Sequence, residues 1–451
     1  MRSREWHGHA ITRRAAALAG CTALALSLTA TSPAHADARD LTRQTLGAKD
    51  GWGSHGTGTT GGSAADAEHV YTVTTWAQFK SALAAGGSAP KIIKVKGTVD
   101  ALSAGCDAFA APGYDFDAYL KKYAPGTWGR DKDLSGEPDG SPEGLRRASA
   151  GNQDRTIKAD VPANTTVIGV GKNAGFKGAS LQIKGVDNVI VRNLTFESPL
   201  DCFPQWDPTD TATGAWNSEY DAAVVHGSTH VWMDHNTFTD GSRPDSEAPT
   251  YFGALYQQHD GELDIVRGSN HVTVSWNVFA DHDKTLMIGN SDSESTAAGD
   301  RGKLKVTLHH NLFRNVVERA PRVRFGQVDS YDNHFVAGRD YAYSFGIGKE
   351  SQLVAEHNAF TLAKGISPAK ILKKWAEAPV TAADNHVNGR KTDLIAVHNA
   401  EIPEETLQPG AGWTPALRAD VDPAKAVPGI VGARAGAGRL SRRPTQPARP
   451  G

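Results

Sequence analysis

The sequence predicts an all-β chain wound as a parallel β-helix, and three observations carry that prediction. Short β-branched runs recur, each closing on Asn with Phe two residues later: Asn236-Thr237-Phe238, Asn277-Val278-Phe279, Asn311-Leu312-Phe313, Asn333-His334-Phe335 and Asn358-Ala359-Phe360. These asparagines stand 41, 34, 22 and 25 residues apart, a base period in the low twenties lengthened by insertions; stacked coils with side loops read this way. No helical periodicity separates the runs, so successive coils should stack as parallel strands about 4.8 Å apart. Inward Val, Ile, Leu and Phe then fill the core, and stacked Asn side chains form a hydrogen-bonded ladder at a turn. An antiparallel β-propeller is the competing architecture, but its blades need about twice the base period.

In chain order, residues 1–36 read as an export signal. Arg2, Arg4, Arg13 and Arg14 make a basic start, Ala15 to Ala30 an apolar stretch, and Ala34-His35-Ala36 a small-residue cleavage site. A secreted, extracellular product is expected, with no membrane association once the signal is removed. Residues 37–440 form the β-helix domain. Its first part, Gly51 to Gly62, is glycine-rich but lacks the strand and Lys-Ser/Thr of a phosphate loop. Glu68 to Thr74 and Lys91 to Val99 read as strands and Thr75 to Ala85 as a short amphipathic helix. Ser103 to Ala159 is irregular, a Gly/Pro/Asp-rich excursion with a helix at Asp115 to Tyr123. The repeats begin at Thr165 and include Asn188 to Phe196. Residues 441–451 are Pro/Arg-rich, a tail expected to be disordered.

Composition narrows the function classes. The chain of 451 residues has a formal charge of −2, and losing four arginines and Glu5 with the signal makes it −5. A nucleic-acid binder would normally be basic, which argues against that class. Two cysteines remain, Cys106 and Cys202, placed to pair in an oxidising compartment or to stay as buried thiols.

On this acidic chain, Arg319-Ala320-Pro321-Arg322-Val323-Arg324 sets three guanidiniums in six residues. Pro321 argues against mid-helix, and an extended run from Val323 puts Arg322 and Arg324 on one face. Upstream lie Glu219, Asp221, Asp260, Glu262 and Asp264. A shift of 41 sets Glu219 on Asp260, Asp221 on Glu262 and Ala223 on Asp264, all of one parity. Core packing is hostile to five unpaired carboxylates, so the expectation is one outward acidic face. All-oxygen ligands suit Ca²⁺. Asp260 and Asp264 would stand about 13 Å apart on a straight strand, so sharing an ion needs a bend, which Gly261 permits. Lys284 lies five residues after Phe279 and Arg319 six after Phe313, nearly equivalent places on successive coils. The plainer alternative is a solvated surface on which acids and bases pair only with each other. A groove with Ca²⁺ at its floor and fixed cations beside it suits an acidic polymer.

At these residues the chain resembles the pectate lyases of the first polysaccharide lyase family. The motifs are Val231-Trp232-Met233-Asp234-His235, Gln258 to Asp264, Asp281-His282-Asp283-Lys284, Leu308-His309-His310-Asn311 and Arg319 to Gly326, and the resemblance runs from about Gly51 to Leu440. It implies a right-handed parallel β-helix that cleaves polygalacturonate by Ca²⁺-dependent β-elimination, acting as a monomer. It also implies that Asp221, Asp260 and Asp264 hold Ca²⁺, that Arg319 is the catalytic base, and that Lys284 and Arg324 bind substrate. Met233 departs from a usual branched residue, and Glu219 stands where only some relatives have a second acidic ligand. Trp232, Asp234, His235, His309 and His310 read as structural.

The proton to be removed, at C5 of a uronate, is α to a carboxylate and weakly acidic. A cation between protein and substrate carboxylates stabilises the charge that develops. Arginine as base conflicts with its usual permanent charge; nearby Ca²⁺, Lys284 and Arg324 are expected to lower its pKa and favour alkaline pH. Three alternatives remain: a pectin lyase acting on methyl esters, a galacturonan hydrolase using paired carboxylates, and a non-catalytic glycan-binding β-helix.

Overall fold

The computed structural model of the chain describes residues 40–440; the expected export signal and the tail after residue 440 lie outside the described residues. The repeats wind into coils of a parallel β-helix with three strands to a typical coil. One row stacks Thr229–Asp234, Asn270–Ser275, Val306–His309, Gln327–Tyr331, Gln352–Glu356 and Val380–Ala383. A second stacks Thr195–Glu197, Thr237–Thr239, Val278–Lys284, Leu312–Glu318, His334–Ala337 and Ala359–Leu362. The third sheet is made of β1 (Lys158–Asp160), β2 (Ser180–Lys184), β3 (Ala223–His226), β4 (Leu263–Val266), β5 (Met287–Ile288), β6 (Arg322–Val323), β7 (Phe345–Ile347) and β8 (Leu372–Lys374). All seven pairings in this sheet are parallel.

The Asn-x-Phe signature holds the coils in register. Asn236, Asn277, Asn311, Asn333, Asn358 and Asn385 are buried and bonded in series, each of the first five donating its backbone N–H and side-chain amide to the next Oδ1. The residue before each one (His235, Trp276, His310, Asp332, His357, Asp384) has φ between 51° and 57°, so a left-handed residue turns the corner between the first two rows. Inside, Phe196, Phe238, Phe279, Phe313, Phe335 and Phe360 stack with ring centroids 4.6–5.0 Å apart. One such stacked pair adds about 0.5–1.5 kcal/mol beyond its area burial.

The glycine-rich stretch is a strap across the outside of the coils. Gly53 N–H donates to Thr273 Oγ1 at 2.9 Å and Gly62 N–H to Thr166 Oγ1 at 2.9 Å. A Cβ on Gly61 would come within 2.4 Å of the Thr166 hydroxyl, so only glycine allows this approach. The expected short helix is Trp76–Ala84, capped by Thr75, and the excursion holds Phe116–Tyr123. A longer helix, Pro142–Ile157, was not expected from the sequence. Its buried face is itself largely polar (Glu143, Arg146, Ser149, Gln153), so no apolar stripe marks it, although Ser141 caps it by accepting from Gly144 N–H and Pro142 opens it. Cys106 and Cys202 are disulfide-bonded, joining this excursion to the loop after Thr195–Glu197.

One registration differs from expectation in a way that reshapes the site. The shift of 41 holds between Val231 and Val272, but in the third sheet Ala223 pairs with Leu263 and Val224 with Asp264, a shift of 40. The turn after β4 holds three residues (Arg267, Gly268, Ser269) where the turn after β3 holds two (Gly227, Ser228), which absorbs the difference. The five carboxylates do not share one face either: Glu262, in the bend before β4, is fully buried, and burial pushes its carboxyl up to about 8 against the opposing charge of His282.

Candidate active site

The third sheet builds the site. On β4, Leu263 and Ile265 point into the core, and Asp264 takes the opposite, outward side, 8% exposed. Its Oδ1 accepts from Met287 N–H at 3.0 Å. Asp221 precedes β3, and its Oδ1 accepts from Gly261 N–H at 2.9 Å. Gly261 lets the two carboxylates converge: a Cβ there would lie 2.6 Å from Asp221 Oδ1 and 2.8 Å from Asp264 Oδ1. Asp260 sits in the segment leading to β4, outside any strand, so the bend anticipated at Gly261 is present.

The electrostatics follow from this crowding. Burial, then the facing Asp264 and Asp260, raise the Asp221 carboxyl well above its ordinary range. Burial and Asp260 likewise push Asp264 up to about 7, opposed by Arg319. The three carboxylates do not all close to within 4.8 Å, as those of two other groups do. Asp260 has a competing partner, with its Oδ1 3.9 Å from Lys284 Nζ. Glu219 is exposed and stands apart; its backbone N–H donates to Asp201, and its charge acts on Asp201 and Arg146.

The cations approach from the neighbouring coils. Lys284 ends its strand opposite Glu318, so Arg319 follows one residue beyond the equivalent place. Arg319 has φ 59°, a left-handed conformation costing a non-glycine residue about 1–3 kcal/mol; Leu286 N–H, donating to its carbonyl at 2.7 Å, helps hold it there. Its Nε donates to Glu318 Oε1 at 2.9 Å. Burial opposes the guanidinium's charge, but Glu318, Asp264 and Asp260 outweigh it, so the pKa is raised. The lowering expected from Ca²⁺, Lys284 and Arg324 together is a property of the ion-loaded site; with the carboxylates free, their charge outweighs that of the two cations.

Val323 points inward from β6 and Arg324 lies on the opposite side, as the alternation of Arg322, Val323 and Arg324 predicts. Arg324 is already engaged: Nε donates to Asp292 Oδ1 and Nη1 to Gly289 O, both at 2.9 Å. Arg322, which sequence reasoning left without a role, lies 4.0 Å over the ring of Trp375, one of the exposed large apolar side chains. Asp292 and Trp375 were also missed. Neither belongs to a repeated position, so the periodicity carried no signal for them.

Trp232, Asp234 and His235, read as structural, bond within the fold. Asp234 is buried between Arg192 at 2.5 Å and His235 at 2.7 Å, and Trp232 Nε1 donates to Ser275 Oγ at 2.9 Å. His282, from the same stretch as Lys284, bonds Asp240 at 2.5 Å inside the fold.

Fold and surface together define a class: a β-helical enzyme whose outer groove sets clustered carboxylates beside fixed cations. The chain belongs to the pectate lyase family, whose family model matches residues 22–111 and 137–404. A pectate lyase from Bacillus subtilis is 44% identical over 433 residues, covering 93% of this chain and 98% of that protein. A solved pectate lyase bound to a hexasaccharide superposes with a TM-score of 0.82 at 43% identity, covering 89% of this chain and all of that one. A second, solved for its substrate specificity and anti β-elimination mechanism, does so with a TM-score of 0.82 at 42% identity and the same coverage. The winding is therefore right-handed, and the chain is a lyase that acts on polysaccharide.

Proposed function

We propose that the chain cleaves α-1,4-polygalacturonate by Ca²⁺-dependent β-elimination, working as a secreted monomer and leaving 4,5-unsaturated oligogalacturonides. The observation that carries the reading is the convergence of Asp221 and Asp264 oxygens on the space over Gly261, with Lys284 and Arg319 beside them. Among the described residues no helix is long and apolar enough to cross a membrane.

The donor set fits Ca²⁺: it is all oxygen, it carries excess negative charge, and two of its carboxylates already share one space. Asp221, Asp260 and Asp264 would hold the ion, which when bound would neutralise them and polarise the substrate carboxyl group. Lys284 and Arg324 pair with substrate carboxylates and fix the uronate against the groove floor. Arg319 takes the C5 proton, the C5–H electrons form the C4=C5 bond, and the C4–O bond breaks with its electron pair on the oxygen, which takes a proton from water as the next sugar leaves. To act as base the guanidinium must first lose its proton, and Asp260 and Asp264 as free carboxylates oppose that loss. Turnover should therefore depend on those two carboxylates being occupied.

The test is the ultraviolet absorbance of unsaturated product from polygalacturonate, with added Ca²⁺ or chelator. Absorbance that rises only with Ca²⁺ supports the reading. Absorbance unaffected by chelator, or new reducing ends without absorbance, points to a pectin lyase or a hydrolase instead.

A further inference from the structure

A second cluster of metal-ligating groups lies away from the groove, at the corner outside the Asn ladder. His310 and Asp332 are the left-handed residues before Asn311 and Asn333, so parallel stacking sets them side by side on successive coils. Asp422 reaches them from the C-terminal segment that covers this corner, its backbone N–H donating to Asp332 Oδ2 at 2.8 Å. His310 Nε2 lies 3.1 Å from Asp422 Oδ2 and 3.7 Å from Asp332 Oδ2, and ligand atoms of all three lie within 4.8 Å of one another.

The Asp332 side chain is completely buried, and its Oδ1 has no hydrogen-bond partner. A buried carboxylate oxygen without a partner is costly. Arg418, whose charge acts on Asp332, is engaged by Asp329 at 2.5 Å and Glu356 at 2.8 Å, and Arg434, whose charge acts on His310 and Asp422, lies 4.2 Å over the ring of Trp276.

We propose that His310, Asp332 and Asp422 form a second metal site, selective for a first-row divalent cation such as Zn²⁺ and distinct from the acidic cluster of the groove. Zn–N and Zn–O bonds of about 2.0–2.2 Å at tetrahedral angles put ligand atoms roughly 3.4 Å apart, and 3.1 and 3.7 Å bracket that edge. An imidazole nitrogen among the donors favours such ions over Ca²⁺, which takes oxygen. The second shell is present. His310 Nδ1 lies 2.8 Å from His309 Nδ1, and His309 Nε2 lies 3.1 Å from Asp50 Oδ1. Neutral His310 carries its proton either on Nδ1, toward His309, or on Nε2, toward Asp422, and a cation takes the Nε2 lone pair once the proton sits on Nδ1. Asp422 is 35% exposed and leaves solvent a way in for a fourth ligand. The ion would clamp the C-terminal segment to two successive coils, so its effect is on stability.

The experiment uses full chain stripped with chelator and dialysed, with Co²⁺ as spectroscopic probe and Zn²⁺ as stabiliser. Wild type should bind one equivalent of Co²⁺ at this site with a visible d–d band, and Zn²⁺ should raise its Tm by several degrees. Asp422→Asn, a change on a partly exposed segment, should lose both the band and the Tm rise. Asp264→Asn, in the groove, should keep both. Absence of the band in wild type overturns the proposal, as does a band that disappears in Asp264→Asn. If Asp422→Asn fails to fold, His310→Gln takes its place, and a Co²⁺ band kept in that variant overturns the proposal, since Asp66, Glu68 and His69 form another group that could hold the ion.

Discussion

At the scale of single residues, Asp260, Asp264, Lys284, Arg319 and Arg324 were readable because each lies in a long motif, while Asp221 was singled out by the shift of 41 residues and by the resemblance. Their energetics were not, since charge balance depends on which neighbour stands closest. Arg319 shows this: sequence placed it beside Lys284 and Arg324, but Glu318 and two aspartates dominate its field. Arg319→Lys keeps the charge and loses the planar guanidinium. It should cut kcat by more than tenfold while the Tm stays within a degree or two, measured by initial rates and thermal unfolding; retention of a tenth or more of kcat would sink the base assignment. Gly261→Ala tests the other half of the site, because its Cβ must displace two carboxylate oxygens now 2.6 and 2.8 Å away. Half-maximal activity should then need at least about tenfold more Ca²⁺, a factor worth about 1.4 kcal/mol. An unchanged Ca²⁺ titration would mean those two oxygens do not ligate together.

His282 gives a pH prediction. Burial opposes its charge, but Asp240 and Glu262 outweigh burial and hold it up to about 10. Because the folded pKa is raised above the ordinary 6.5, its contribution is complete below about pH 6.5 and is lost as pH rises through 10. Breaking a buried pair by removing one partner costs about 3–5 kcal/mol. Urea unfolding should show His282→Gln less stable by roughly 3 kcal/mol at pH 6, with the gap narrowing toward pH 10. A gap that widens with pH would reverse the assignment.

At the scale of elements, the repeat was legible because Asn and Phe recur at fixed offsets and do the same work in every coil. The helix Pro142–Ile157 was not legible, because it docks on the fold with few apolar residues and buries Arg146 against Glu143. The register of β3 on β4 was missed by one residue because a single added turn residue is invisible to a period counted between asparagines. Glu262 turns inward for a separate reason, that it lies in the bend before β4 and not in the strand, which no pattern of charges could have revealed. The ladder itself is testable at its middle. Asn311 Oδ1 accepts from Asn277, and its amide donates to Val274 O and Asn333 Oδ1, all at 2.9–3.0 Å. Asn311→Ala should cost roughly 2–4 kcal/mol, since it strands several buried partners at about 1–3 kcal/mol each. Activity per folded molecule should persist. A change below about 0.5 kcal/mol in urea unfolding would mean the ladder follows the fold without holding it.

At the scale of the whole molecule, an acidic protein is proposed to grip an acidic polymer, so the local field of the groove must overcome net repulsion. Lys284, Arg319 and Arg324 are gathered on one outer surface, and a cation held by Asp221, Asp260 and Asp264 would add to them. Methyl esterification of the substrate removes the anion that all of these groups recognise. A neutral ester neither bridges to a cation nor pairs with lysine or arginine. The loss falls most heavily on the transition state, where charge builds on that carboxyl group, so kcat should fall together with affinity. Initial rates across a series of pectins of rising methylation, each with Ca²⁺ or chelator, make the measurement. Low-ester polymer should be cut fastest, rates should decline steadily with esterification, and chelator should abolish the reaction at every point of the series. Faster cutting of highly methylated pectin that persists in chelator would mean that neither the carboxylate cluster nor the cations read a free carboxylate, and that the chain acts as a pectin lyase on the neutral ester.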